Sequence, residues 1–268
     1  MNERSPIGLI DSGIGGFTVL KELQQQLPHE NIVYLGDSKR MPYGECNNQE
    51  IIQYAESDIR FLEKKGAKAI LLACNTVSSL IEQIETKVPL FSIVEAGCMA
   101  TAETCAEGEV GLIATTATVN NGAYERILKK YSKTVRYIPK GTKTLAAVIN
   151  NHPDELVLLE QNIREAIEPI LQISDIKELL LGCTHFPIVR KTIEKMYPNL
   201  KIINPAEQQI RIIQAYLEKE HLINDDFYDG ITDIYTTGSP QDYRIFEDKI
   251  GQLQIYCNHL NQTVLDID

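Results

Sequence analysis

A basic footprint is missing from this chain. Lys and Arg number 26 against 37 Asp and Glu, a formal charge of -11 with a pI near 5.0. Phosphate-backbone binding draws on clustered cations, so nucleic acid is excluded as the main ligand. Long apolar runs are missing too: no stretch approaches the roughly 18 to 20 residues of a membrane span. The opening Met-Asn-Glu-Arg-Ser-Pro has no basic n-region and leads only into the short run Ile7 to Ile10. The expectation is a soluble cytoplasmic protein with no membrane partner. Cysteine is sparse, at 46, 74, 98, 105, 183 and 257, without a C-x-x-C pair, which excludes a disulfide framework. Cys98 and Cys105, if on one helix, would lie about 10 Å apart, beyond disulfide reach. Free thiols are expected, and some of them chemical.

What is present is an ordinary globular composition. The 268 residues, 43% hydrophobic and 24% charged, are too apolar for disorder and numerous enough for one large domain or two modest ones without staples. Short aliphatic and β-branched runs alternate with longer amphipathic segments, the α/β pattern. Strands are expected at Ile7–Ile10, Ile32–Leu35, Ala69–Ala73, Leu90–Val94, Val110–Ala114, Val135–Ile138, Glu178–Leu181 and Lys201–Ile203, with weaker ones near Ile234–Thr237 and Leu253–Tyr256. Their hydrophobicity is unbroken rather than alternating, so they are expected buried on both faces and parallel. Asn47 can cap a helix carrying Ile51, Ile52, Ala55, Ile59 and Leu62 and closed by Gly66. Asp154 can open another with Leu156, Leu159, Ile163, Ile167 and Leu171 on one face.

The sequence echoes itself. Gly8-Leu9-Ile10-Asp11-Ser12 resembles Gly111-Leu112-Ile113-Ala114-Thr115. Further on, Ile70-Leu71-Leu72-Ala73-Cys74-Asn75-Thr76 resembles Leu179-Leu180-Leu181-Gly182-Cys183-Thr184-His185. Both pairs come in the same order at similar offsets. Two similar α/β halves are implied, each with a strand that ends in cysteine.

Cys74 and Cys183 each follow a buried strand and precede an expected helix, with Thr76 or Thr184 near its N-cap. Open α/β sheets bind ligands at strand carboxyl ends. A helix N-terminus there would lower a thiol pKa below about 8.5 and hold a carboxylate. Two like bases facing each other across a cleft suit a reaction that takes a proton from one face of a carbon and returns one to the other: racemisation or epimerisation. The carbanion needs fixed donors, for which Ser12, Asn75, Thr76 and Thr184 are candidates. His185 can assist Cys183 or pair with a substrate carboxylate. Asp11, ending the first strand, can bind an ammonium group or poise Cys74, while Asp-Ser-Gly is also simply a good turn.

Other chemistries share these residues. Gly13-Ile14-Gly15-Gly16 after a strand, with Asp37 ending the next, imitates a dinucleotide fingerprint, although Thr18 stands where the third glycine belongs. Cys74, Cys183 and His185 would suit a catalytic zinc. A small-ligand binder that keeps the cleft without the chemistry is the third alternative.

Five segments together resemble cofactor-independent glutamate racemase, of the aspartate/glutamate racemase superfamily. They are Gly8 to Gly16, Gly36-Asp37 with Arg40-Met41-Pro42-Tyr43-Gly44, Ala73 to Thr76, Gly111 to Thr115 with Thr118-Val119, and Leu181 to Pro187, spread through the chain in the family's order. The resemblance implies interconversion of L- and D-glutamate without pyridoxal phosphate or metal, supplying D-glutamate for peptidoglycan. It implies Cys74 and Cys183 as the acid/base pair, with Asp11 and His185 beside them. Asp11, Ser12, Tyr43, Gly44, Asn75, Thr76, Thr115, Thr118, Thr184 and His185 would line the glutamate site. It further implies two pseudo-symmetric doubly wound domains of mainly parallel sheet with the site between them. Residues 1–96 plus 209–268 would form the first domain and 97–208 the second, in a homodimer.

The chain departs from the pattern in two places. Val94-Glu95-Ala96-Gly97 lacks the proline often found after that glutamate. Where the family commonly has a Cys-Pro segment, Val-Pro and a glutamate that assists the second cysteine, this chain runs from Lys140 to Asn151, with Asn150 or Asn151 in the carboxylate's place. An amide hydrogen-bonds but takes no proton at neutral pH. A racemase of different substrate preference, or a weakened non-catalytic binder, is therefore the alternative.

Overall fold

The computed structural model describes residues 2–250 and 254–265. Among these, the strands in chain order are β1 (Ile7–Asp11), β2 (Ile32–Gly36), β3 (Ala69–Leu72), β4 (Leu90–Ser92), β5 (Gly108–Thr115), β6 (Val135–Thr142), β7 (Glu178–Gly182), β8 (Lys201–Ile203), β9 (Thr232–Thr236) and β10 (His259–Gln262). They form a six-stranded sheet, β10-β9-β2-β1-β3-β4, and a four-stranded sheet, β6-β5-β7-β8. The pairings among the described residues are parallel. As their unbroken hydrophobicity requires, β1, β2 and β3 are buried at every residue.

The sequence echo is an echo of register. Gly8 of β1 stands opposite Ile70 of β3, and Gly111 of β5 stands opposite Leu179 of β7; these are the residues that the repeated strings equate. The two glycines also share a packing reason. A Cβ on Gly8 would come within 2.8 Å of Leu62 Cδ1, and one on Gly111 within 2.5 Å of Ile176 Cδ1. Each glycine is a seat on which the covering structure rests against the central strand of its sheet. Both sheets accordingly place a β2-like, a β1-like, a β3-like and a β4-like strand in one order.

Local signals account for the helices. Asn47 Oδ1 accepts from Gln49 N and Glu50 N, both at 3.0 Å, and Glu50 Oε2 accepts from Asn47 N at 2.9 Å, a complete capping box for helix Asn48–Lys64. Gly66 closes the segment at φ +79. The helix expected from Asp154 is Leu156–Leu171, capped by Glu155 with no side-chain bond. Its buried face is Leu159, Ile163, Ala166, Ile167 and Ile170, whereas Leu156 and Leu171 are exposed because its two ends overrun the core.

Three strand expectations need correcting. Ile93 and Val94 belong to helix Ile93–Thr104, since Ser92 Oγ accepts from Glu95 N at 3.0 Å and turns the chain after β4. β6 runs on past Pro139 to Thr142, which it can do as an edge strand where a missing N–H breaks no ladder. In the segment expected as Leu253–Tyr256, Leu253 lies outside the described residues and 254–256 form no strand. The edge strand is instead His259–Gln262, too polar to carry a hydrophobic signal.

The halves share a core. Leu9, Phe17 and Tyr34 under the larger sheet are continuous with Leu112, Tyr124 and Leu180 under the smaller one. Residues 96 and 97 fall inside helix Ile93–Thr104, and 208 and 209 inside helix Pro205–Lys219, so both crossings between the sheets are made by helices that pack together. Gln209 Nε2 donates to Leu72 O at 3.2 Å and to Phe91 O at 2.8 Å, fixing the second crossing to the ends of β3 and β4. The buried Lys68 ammonium then holds the returning chain, donating to Glu30 Oε2 at 2.5 Å, Glu3 O at 2.6 Å and Leu222 O at 2.8 Å.

Candidate active site

The register match carries both cysteines to equivalent places. Cys74 lies two residues past the end of β3, and Cys183 directly follows β7. Both line one cavity of about 480 Å³ between the carboxyl ends of the two sheets. Ser12, Tyr43, Gly44, Asn75, Thr76, Thr115, Thr184 and His185, all named from the sequence, line it with them.

Asp11 and Thr118 do not line it. Asp11 is fully buried behind the cysteines, where Oδ2 accepts from Gly13 N at 3.1 Å and Gly16 N at 3.0 Å, and Oδ1 accepts from Thr184 Oγ1 at 3.2 Å. It has no open face for an ammonium group. Thr118 Oγ1 is spent within a hydroxyl cluster, 2.9 Å from Thr115 Oγ1 and 3.4 Å from Thr76 Oγ1. Asn75 is placed more usefully. Its Oδ1 accepts from Tyr124 at 2.6 Å, leaving Nδ2 buried and unpartnered as a fixed donor at the cavity.

The wall at residues 41–44 is held from behind. The Tyr43 hydroxyl donates to Asp37, Arg40 pairs with Asp37 and reaches Asp58 Oδ1 at 2.8 Å, and Thr237 Oγ1 donates to Asp37 Oδ1 at 2.7 Å. Tyr43 therefore offers the cavity its ring and backbone rather than its hydroxyl. Asp37 is a buried brace and not a ribose ligand.

The electrostatics reverse one expectation. No long helix begins at either thiol: Cys74 caps a turn of only four residues, Asn75–Ser78, and Cys183 enters a turn before the short 3-10 segment Phe186–Val189. Burial, reinforced by the Asp11 carboxylate, pushes the Cys74 thiol up to about 11 despite backbone donors at Val77 and Thr76. Burial likewise pushes Cys183 up to about 12, against one donor from the His185 backbone. Both are thiols at neutral pH. Burial also lifts Asp11 to about 6 and lowers His185 to about 4, so the imidazole is neutral. His185 Nδ1 stands 3.9 Å from Cys183 Sγ, while Nε2 is buried without a partner. Its role is hydrogen bonding to the second thiol or to a ligand, and it supplies no charge. On the other side Cys74 Sγ lies 3.6 Å from Ser12 Oγ.

The glycine loop is not a phosphate cradle. Its Gly13 and Gly16 amides are already taken by Asp11. Gly15 is required by the second half of the chain instead, since a Cβ there would stand 2.5 Å from both His185 Nδ1 and Thr184 Oγ1. Among the described residues no group of three or more His, Cys, Asp or Glu side chains is arranged to hold a metal ion. Nor is any described helix long and apolar enough to cross a membrane.

Sequence reasoning missed one wall. Thr142 and Lys143 at the end of β6, and Ala146, Ala147 and Asn151 of helix Leu145–Asn151, also line the cavity. Apart from Asn151, which the resemblance sets in the place of a carboxylate, no repeat or motif marks them, and the placement of β6 beside β5 is what brings them to the cavity. Of the two asparagines considered there, Asn151 faces the cavity and its Oδ1 accepts from Asn150 Nδ2 at 3.0 Å.

Comparison with known proteins shows the family. Residues 7–213 match the Asp/Glu/hydantoin racemase family. Glutamate racemase 1 of Caldanaerobacter subterraneus subsp. tengcongensis is 35% identical over 226 residues, 84% of this chain and 85% of its own length. Glutamate racemase isoform RacE1 of Bacillus anthracis superposes with a TM-score of 0.91 at 29% identity, covering 100% of both chains. Glutamate racemase of Francisella tularensis, solved with D-glutamate, gives 0.88 at 30% identity over 98% of this chain and 99% of that one. The chain belongs to the Asp/Glu/hydantoin racemase family.

Proposed function

We propose that this protein interconverts L- and D-glutamate by proton transfer between two thiols, without a cofactor, and so supplies D-glutamate for peptidoglycan. The observation that carries this reading is the placement of Cys74 and Cys183 at equivalent strand ends of two equivalent sheets, on one cavity. A racemase needs a base on each face of the α-carbon, and a pair related by pseudo-symmetry provides one from each side. The cleft lies between the halves 1–96 plus 209–268 and 97–208. We take the working form to be a homodimer in the cytoplasm.

In this mechanism one cysteine enters as thiolate and takes the α-proton while the other, as thiol, delivers a proton to the opposite face. The roles exchange with direction. Because both thiols sit high at rest, forming the thiolate is costly, and the substrate's own ammonium charge offsets that cost by favouring the nearby anion. The buried Asn75 Nδ2 and the hydroxyls of Ser12 and Thr76 are fixed donors for the charge that develops on the α-carboxylate. Asp11 acts through its neighbours as a positioning residue: it fixes the Gly13–Gly16 turn and Thr184, and its charge adds to the burial that raises both thiols.

An anionic substrate suits the lining. No carboxylate among the described residues faces the cavity, although the chain as a whole carries -11. Asn151, where the family's pattern suggests an acid, is a reason to consider a different amino acid as substrate. Both points are tested by following α-proton exchange in deuterated water across glutamate, aspartate, glutamine and alanine. Exchange fastest with both glutamate enantiomers supports the proposal; exchange only with a neutral amino acid, or with none, contradicts it.

A further inference from the structure

Lys143 is not explained by the two-thiol chemistry. It lies just past the end of β6, next to Thr142, which pairs with Thr115 of β5, and is exposed at the rim of the same cavity while the cysteines are buried in it. The lining has one other basic side chain, His185, which its low pKa keeps neutral. The remaining nearby cation, Arg40, is consumed by Asp37 and Asp58 behind the wall. Lys143 therefore supplies the formal positive charge of the cavity, and it has no carboxylate partner among the described residues.

We propose that Lys143 recognises the side-chain carboxylate of the substrate and makes the site selective for dicarboxylic over neutral amino acids. The inference rests on the racemase reading and adds a residue to it. The α-carbon must sit between the deep thiols, where Asn75 and Thr76 can hold the α-carboxylate. The side chain is the part of the substrate free to extend toward the rim. A single cation there acts on an anion in two ways. It pairs with the carboxylate once bound, and it offsets locally a net charge that otherwise repels the substrate at long range. A partly solvated pair of this kind contributes modestly, so recognition appears in KM and not in the proton-transfer step.

The test compares wild type, Lys143→Met, Lys143→Arg and Lys143→Glu by α-proton exchange with glutamate and with glutamine, which replaces the side-chain carboxylate by an amide. Lys143→Met is expected to raise KM for glutamate by about 2- to 5-fold with the loss falling on KM rather than kcat, and to leave glutamine unaffected. Lys143→Arg should restore most of the affinity, and Lys143→Glu should weaken glutamate further while flattening the salt dependence of kcat/KM. Unchanged KM in both Lys143→Met and Lys143→Glu, beside an active wild type, overturns this inference and leaves the racemase reading standing. A fall in kcat alone would mark a structural role and overturn it equally. If wild type exchanges neither glutamate enantiomer, the racemase reading falls and takes this inference with it.

Discussion

Thr184 donates its hydroxyl to Asp11 across 3.2 Å, tying the loop of the second cysteine to the end of the strand beside the first. One buried carboxyl thereby faces both halves of the site, and its charge raises both thiols. Asp11→Asn keeps an oxygen for the Gly13 and Gly16 amides and removes the charge. Both thiols should then become more acidic, and alkylation of Cys74 and Cys183 by iodoacetamide at pH 8 should accelerate several-fold, since the thiolate is the nucleophile. Peptide mass spectrometry would follow each site, with exposed Cys257 reacting first in both proteins. Unchanged rates would remove Asp11 from the control of thiol acidity.

Gly15 is where the first half's turn meets the second half's cysteine loop. An alanine Cβ there stands 2.5 Å from His185 Nδ1 and from Thr184 Oγ1, whereas one on Gly44 finds its nearest neighbour, Thr115 Cβ, at 3.9 Å. Gly15→Ala should cost about 1–3 kcal/mol, the usual range for overpacking, and displace the catalytic loop. Gly44→Ala should leave thermal stability within about 0.5 kcal/mol of wild type. Equal unfolding midpoints for the two variants would contradict the role given to Gly15.

Two buried groups impose opposite pH dependences on stability. His185 is lowered from 6.5 to about 4, so its contribution is complete above pH 6.5 and is lost as pH falls toward 4. Asp11 is raised from 3.8 to about 6, so its contribution is complete below pH 3.8 and is lost as pH rises toward 6. Between pH 4 and 6 the slopes oppose each other. Asp11→Asn removes one of them, and relative to wild type its stability should climb across that window with a slope of up to about 1.4 kcal/mol per pH unit. Urea unfolding at pH 4.5, 5.5 and 6.5 would measure it, and parallel profiles for the two proteins would contradict it.

What the sequence made legible follows from how each signal arises. Strands buried on both faces are plain as aliphatic runs, and the repeated strings equate Gly8 with Gly111 and Ile70 with Leu179, the very pairs that stand in register. β10 was hidden because an edge strand needs no apolar face, and its polar residues give no periodicity. Thiol acidity was misjudged because it depends on burial and helix length, and a four-residue turn cannot outweigh full burial. Asp11 was expected at the substrate because residues at strand ends face ligands, yet here the glycine turn folds back and claims it. Lys143 carries no motif, and whether it or either of Asn150 and Asn151 reaches the cavity depends on how β6 pairs and how helix Leu145–Asn151 follows it.

The central claim is that Cys74 and Cys183 each serve one face of the same α-carbon. Its most direct test is nuclear magnetic resonance of α-proton loss from separate L- and D-glutamate in deuterated water, with wild type, Cys74→Ala and Cys183→Ala. Wild type is predicted to deuterate and interconvert both enantiomers. Each variant is predicted to lose interconversion by at least about 10³-fold, as removal of one of two obligatory acid/base groups requires. Full racemisation by either variant would contradict the two-thiol account.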